Sequence, residues 1–173
     1  PPTHRPSVKE KFLREVLLQN AMFTNLPRHT LDELVDAFQR VELSQDQVII
    51  RQGDASEGDH VYIIAEGECA VTVDGKVVSE PFGTLHAKDF IGELGILYSK
   101  KRWGTVSTKS KHVTLYRIDG ATFKKLAFLG TDIVDPIAQM KKIDNVLLQI
   151  SGTKSLFHGQ IILPYRPDRR WLW

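Results

Sequence analysis

Between residues 41 and 119 the chain is cut into short apolar stretches by pairs of glycine and acidic residues, and this punctuation constrains the fold more than any other feature. Val48-Ile49-Ile50 is followed by Gly53-Asp54 and Gly58-Asp59, both turn signals. Val61-Tyr62-Ile63-Ile64 and Cys69-Ala70-Val71-Thr72-Val73 read as two strands broken at Glu66-Gly67. Asp74-Gly75 is a strong two-residue hairpin signal, and Lys76-Val77-Val78 resumes beyond it. A further strand is expected from His112 to Ile118. Short strands joined by glycine turns predict a small jelly-roll-like antiparallel β-barrel, not a parallel sheet.

Helical periodicity flanks this β unit. Over residues 8–26, Phe12, Val16, Leu17 and Phe23 recur at helical spacing, and Pro27 closes the segment. Thr30 and Glu33 have the spacing of a capping box for a second helix over residues 31–40, with Leu31, Leu34, Val35 and Phe38 on one face. Beyond the barrel, residues 121–126 predict a short helix. Residues 133–150 predict a longer one with Ile137, Met140, Ile143, Val146, Leu147 and Ile150 on its apolar side and Pro136 in its first turn. The predicted organisation is a linker and N-terminal helices over 1–40, a barrel over 41–119, C-terminal helices over 120–150 and a tail over 151–173. That tail, with Arg169-Arg170 and Trp171-Leu172-Trp173, carries no structural assignment.

Composition narrows the function classes. The chain has 173 residues, enough for one domain with a proper core, and its charged fraction of 25% argues against disorder. A formal net charge of +2 is too small for a nucleic-acid partner. The single cysteine, Cys69, rules out an internal disulfide and suits a reducing, cytoplasmic setting; its strand-like spacing marks it as a core residue. No apolar run reaches the roughly 20 residues of a membrane span. His60, His86 and His112 lack the neighbours of a metal site, so no metal or cofactor is expected. The Pro-rich start (Pro1, Pro2, Pro6) reads as a linker, as in a piece of a longer protein.

Residues 89–106 concentrate the chemistry. Gly92 and Gly95 flank Glu93 and Leu94, and closely spaced glycines let a backbone approach a ligand and present N–H groups to an anion. A short helical turn over residues 94–98 would add its N-terminal dipole. Arg102 follows, and its planar fork matches the paired oxygens of a phosphate. Glu93 would repel a phosphate but accepts hydrogen bonds from sugar hydroxyls, so the pair suits a ribose phosphate. On spacing alone, a plain Glu93–Arg102 salt bridge at a loop is an equally good reading.

The stretch Ile91-Gly92-Glu93-Leu94-Gly95-Ile96-Leu97-Tyr98-Ser99-Lys100-Lys101-Arg102-Trp103-Gly104-Thr105-Val106 closely resembles the phosphate-binding cassette of cyclic-nucleotide-binding domains. Its flanks agree: Gln52-Gly53-Asp54, Gly58 through Ile64 and Glu66-Gly67 on one side, Leu115 through Asp119 and Phe123 on the other. The Ile-Leu-Tyr sequence is most like cyclic-GMP-dependent protein kinases and next most like regulatory subunits of cyclic-AMP-dependent kinases. The resemblance implies a barrel flanked by N-terminal helices and C-terminal hinge and lid helices. It implies a ligand, cyclic GMP ahead of cyclic AMP, held by Gly92, Glu93, Leu94, Gly95, Arg102, Trp103, Gly104 and Thr105. Glu93 would take the ribose 2′-hydroxyl, Arg102 the exocyclic phosphate oxygens, and the N–H groups of Gly95 and Trp103 the rest of the phosphate. The base would lie near residues 77–85. The implied partner is a serine/threonine protein kinase catalytic domain, in cis or in trans, with no catalytic site in this chain.

Three positions depart from the family pattern. Ile91 replaces the usual Phe and Gly95 the usual Ala. Trp103 stands where a small residue, or a Thr that favours guanine, is usual. Its ring has three available placements: pointing outward, stacking on the base, or blocking the pocket. The last would make the domain a degenerate docking module. A DNA-binding regulator of the same superfamily needs a helix-turn-helix that residues 151–173, with their prolines, do not suggest. No nucleophile–base pair converges on the cassette to suggest an enzyme.

Overall fold

The computed structural model describes residues 6–20, 23, 26–55, 59–80, 83–98 and 101–128. The predicted helix over 133–150 and the tail over 151–173 lie outside the described residues.

Two helices lead into the β unit. α1 (Val8–Gln19) begins at a capping box in which the Ser7 hydroxyl accepts from the Glu10 N–H and the Glu10 carboxylate accepts from the Ser7 N–H. Its buried face is Leu13, Val16 and Leu17, with Phe12 partly buried. α2 (Arg28–Ala37) starts three residues before the predicted Leu31, directly after Pro27, whose fixed φ already suits a helix entrance. Thr30 is therefore not a cap but a buried residue of the first turn, and Leu31, Leu34 and Val35 face inward as the periodicity predicts.

Among the described residues nine strands follow, in two antiparallel sheets. In chain order they are β1 (Gln39–Ser44), β2 (Val48–Ile50), β3 (His60–Glu66), β4 (Cys69–Val73), β5 (Lys76–Val77), β6 (Thr84–Leu85), β7 (Phe90–Ile91), β8 (Thr105–Thr108) and β9 (His112–Asp119). One sheet has the order β1-β9-β3-β7; the other runs β2-β8-β4-β5, with β6 also paired to β4. Most strand neighbours in space, β1 with β9, β9 with β3, β2 with β8 and β8 with β4, are distant in sequence, as the predicted jelly-roll-like barrel requires. The hairpin at Asp74-Gly75 is present, with Val73 opposite Lys76 and the primed-turn signs of φ at both central residues. Between β7 and β8 lies α3 (Glu93–Tyr98), and α4 (Gly120–Phe128) closes the described chain. Asp119 caps α4 by accepting from the Thr122 N–H, which holds its carboxyl below the usual range.

The sheet built on β3 and β9 is apolar on both faces, because alternate residues enter two different cores. Val61, Ile63, Tyr116 and Ile118 join the helical layer with Leu17, Leu34, Phe38 and Phe123. Ile64, Val113 and Leu115 turn the other way and fill the barrel with Cys69, Val71 and Val106. Phe23 bridges the helical layer, stacked on Phe90 at 6.1 Å and edge-on to Phe123 at 5.8 Å. Phe123 is fully buried. Phe123→Ala is expected to cost about 3–5 kcal/mol of stability, read by urea denaturation, through the cavity it leaves between α4 and the sheet.

Candidate functional site

The cassette begins where β7 delivers Ile91 into the barrel and the chain turns sharply at Gly92. Gly92 has φ +86, the left-handed region, and a Cβ built there would lie 2.7 Å from Arg102 Nη1. Only glycine meets both demands. Glu93 opens α3 and is buried; its charge stands at the helix end that favours an anion. Arg102 comes back to the same place from the other side of the segment.

The Arg102 side chain is 1% exposed, so its guanidinium must find acceptors inside the protein. Asp59 supplies two contacts through one oxygen: Nε donates at 3.1 Å and Nη2 at 2.7 Å to Oδ2. Nη2 also donates to the His60 carbonyl at 3.1 Å, and Nη1 donates to the Gly92 carbonyl. Four of the five N–H groups of the guanidinium are thus engaged. The main chain is fixed as well: Arg102 N–H donates to Asp54 O at 2.9 Å, and Arg102 O accepts from Gly53 N–H at 2.8 Å. Asp59 in turn holds α4, since its carbonyl accepts from the Gly120 N–H at 2.8 Å.

Gly92, Glu93, Gly95, Arg102, Trp103 and Gly104 line one cavity inside the barrel mouth, together with the apolar Ile50, Val71, Leu85 and Val106. Six of the eight residues expected from sequence therefore meet there. Thr105 lies just outside, its hydroxyl accepting from the Gln52 N–H at 2.9 Å, and Gln52 continues to Asp74 on the β4–β5 turn. The side chain of Leu94 lies outside what the structure describes. Of the region expected near a base, Leu85 lines the cavity whereas Val77 is exposed. The cavity encloses only about 40 Å³. A wider open groove of about 490 Å³ runs past Val48, Arg51 and Asp59, but neither Glu93 nor Arg102 lines it.

Trp103 is half-buried and packs against the barrel core, so its ring points into the cavity and not outward. Asp59 is the residue that sequence reasoning read only as a turn signal; an acidic residue directly before an apolar strand is the sole local hint. Cys69 is fully buried, and burial pushes its thiol up to about 12. Among the described residues no group of three His, Cys, Asp or Glu side chains gathers to hold a metal, and no helix is long and apolar enough to cross a membrane.

The profile of the family described as "Cyclic nucleotide-binding domain" matches residues 40–128, more than half of the chain. The chain belongs to that family. The cyclic nucleotide-binding domain is 31% identical over 135 residues to a cAMP-dependent protein kinase regulatory subunit of Schizosaccharomyces pombe, covering 76% of this chain and 31% of that protein. It is 27% identical over 114 residues to cGMP-dependent protein kinase, isozyme 1, of Drosophila melanogaster, covering 66% of this chain and 14% of the kinase. The chain thus spans a third or less of these curated relatives. In fold, the domain superposes with TM-score 0.71 and 18% identity on the regulatory subunit of a cAMP-independent protein kinase A from Trypanosoma cruzi bound to guanosine, covering 87% of this chain and 50% of that one.

Two outcomes follow from the cassette and the core thiol. Gly92→Ala should lower stability by about 1–3 kcal/mol from backbone strain alone, more with the clash against Arg102, as measured by thermal melting. At pH 8 a thiol titrating near 12 is roughly 10⁻⁴ ionised, so Cys69 should resist Ellman's reagent in the folded protein and react fully in denaturant.

Proposed function

We propose that this domain is a cytoplasmic, cyclic-nucleotide-sensing regulatory module that controls a protein kinase catalytic domain, in the same chain or in a partner. The observation that carries the reading is the convergence of Glu93 and Arg102, nine residues apart in sequence, on one cavity at the barrel mouth. Glu93 accepts from the ribose 2′-hydroxyl. Arg102 takes an exocyclic phosphate oxygen on its remaining N–H and a second by exchanging the Gly92 carbonyl, keeping Asp59 as its anchor. The N–H groups of Gly95 and Trp103, with Leu94, Gly104 and Thr105, complete the cassette. Asp59 touches both Arg102 and the start of α4, which supports transmission from phosphate to C-terminal helices as a shift between two populations.

The expectation of cyclic GMP over cyclic AMP finds no support among the relatives. The fission-yeast regulatory subunit is a cyclic-AMP protein by name, and Trp103 lacks the hydroxyl that Thr would offer a guanine. The base is therefore left open between the two nucleotides. A second reading, a docking module that no longer binds a nucleotide, is favoured by one observation: Trp103 packs into the cavity. Isothermal titration with both cyclic nucleotides separates the readings. Arg102→Ala and, more gently, Glu93→Gln should each weaken binding roughly 10- to 100-fold, the worth of a hydrogen bond to a charged group. Unchanged affinity in both variants would overturn the assigned roles, and no heat with either nucleotide on the unaltered protein and on its Trp103→Ala variant would favour the docking module.

A further inference from the structure

Trp103 stands between the buried Arg102 and β8, at a bend and not in a strand. The backbone around it is pinned on both sides. Arg102 is tied to Gly53 and Asp54 through its own N–H and carbonyl, and a Cβ on Gly104 would come within 3.1 Å of the Thr72 carbonyl. The main chain thus has no slack to carry the indole in or out. Rotation about the side-chain bonds is the route that remains.

The indole is large and the space left beside it is small. A cavity of about 40 Å³ holds a few waters, whereas ligand pockets run to about 300–1,000 Å³. The other apolar walls are buried strand residues, Ile50, Val71, Leu85 and Val106 from one sheet and Phe90 and Ile91 from the other. Trp103 differs from them in being only partly buried and outside a strand, so it is the wall that can leave. Its fused five- and six-membered rings also match a purine in shape and size.

We propose that Trp103 is an intramolecular occupant of the base half of this pocket, and that a nucleotide binds by displacing the indole. The proposal rests on the reading of the cavity as the nucleotide site. It makes Trp103 a residue that determines both affinity and specificity. A ligand's apparent affinity falls by the fraction of molecules in which the indole is out. Burying a side chain of this size is worth roughly 10- to 100-fold in that equilibrium. Ligands whose base can stack on the displaced ring at the mouth recover part of that loss.

The chain has three tryptophans, so the full chain with Trp171→Phe and Trp173→Phe leaves Trp103 as the sole indole. Cyclic AMP and cyclic GMP are titrated into this protein and into its Trp103→Ala derivative, by calorimetry and by fluorescence with acrylamide quenching. A nucleotide that binds should shift the Trp103 emission to the red and raise its quenching. It should also bind the Trp103→Ala protein roughly 10- to 100-fold more tightly. Binding to the Trp103 protein with unaltered emission and quenching would overturn the proposal even if the alanine variant failed to fold. Equal or weaker binding to a well-folded Trp103→Ala protein would overturn it too, while leaving the nucleotide site standing. Absence of binding to both proteins would remove the nucleotide site, and the proposal with it.

Discussion

The structure around the cassette depends on one buried cation. A guanidinium out of contact with water is tolerated only when its hydrogen bonds are met, and removing one partner of such a pair costs several kcal/mol. Arg102 meets that demand by collecting groups from two separate segments: the carboxylate of Asp59 with the neighbouring carbonyl of His60, and the carbonyl of Gly92. Its own main chain adds the loop at Gly53 and Asp54. No apolar contact could specify those segments so closely, because apolar packing has no direction, whereas a planar fork does.

The second organising feature is the sheet of β3 and β9, apolar on both sides. It separates the helical layer from the barrel interior while making each depend on the other's packing. The cassette crosses this partition. Glu93 lines the cavity inside the barrel, while Ile96, three residues later, belongs to the helical layer with Phe123. A six-residue helix is too short to be stable by itself, so α3 depends on its surroundings: Glu93 at the barrel cavity and Ile96 in the helical core.

These dependencies explain what was legible in the sequence. Five of the nine described strands (β2, β3, β4, β5 and β9) and the Asp74-Gly75 turn were, because apolar runs and turn pairs are local properties of the chain; β1, with no fully buried residue, the two-residue β6 and β7, and β8 inside the cassette were not. The meeting of Glu93 and Arg102 was visible through the cassette pattern. Asp59 as the partner of Arg102 was not, since 43 residues separate them and nothing local marks an acidic turn residue as the ligand of a buried arginine. The start of α2 was misread because Thr30 and Glu33 imitate a cap, while Pro27 sets the true beginning. Trp103 shows a different limit. Strand alternation backward from Val106, which faces the barrel, would send position 103 outward with Thr105 and Ser107. The bend at Trp103-Gly104 precedes β8, so the two-residue period does not extend to it and the ring turns inward.

The contacts of the cassette also form a closed circuit. Arg102 donates to the Gly92 carbonyl, which accepts as well from the Ile96 N–H at 3.4 Å, a long bond at the first turn of α3. Ile96 Cδ1 lies so close to Gly120 that a Cβ there would sit 2.5 Å from it. Gly120 N–H returns to Asp59, and Asp59 to Arg102. In such a ring one guanidinium N–H is open to a new acceptor, and a second acceptor must replace one already present. On the proposed nucleotide-sensing reading, a phosphate oxygen that takes the place of the Gly92 carbonyl frees that carbonyl for Ile96, which would shorten the first turn of α3. The side chain pressed against the start of α4 then moves with it. On that reading, the free energy available to move α4 would be the difference between a charged and a neutral acceptor for one guanidinium N–H, and a ligand without an anionic group at that point has nothing to exchange.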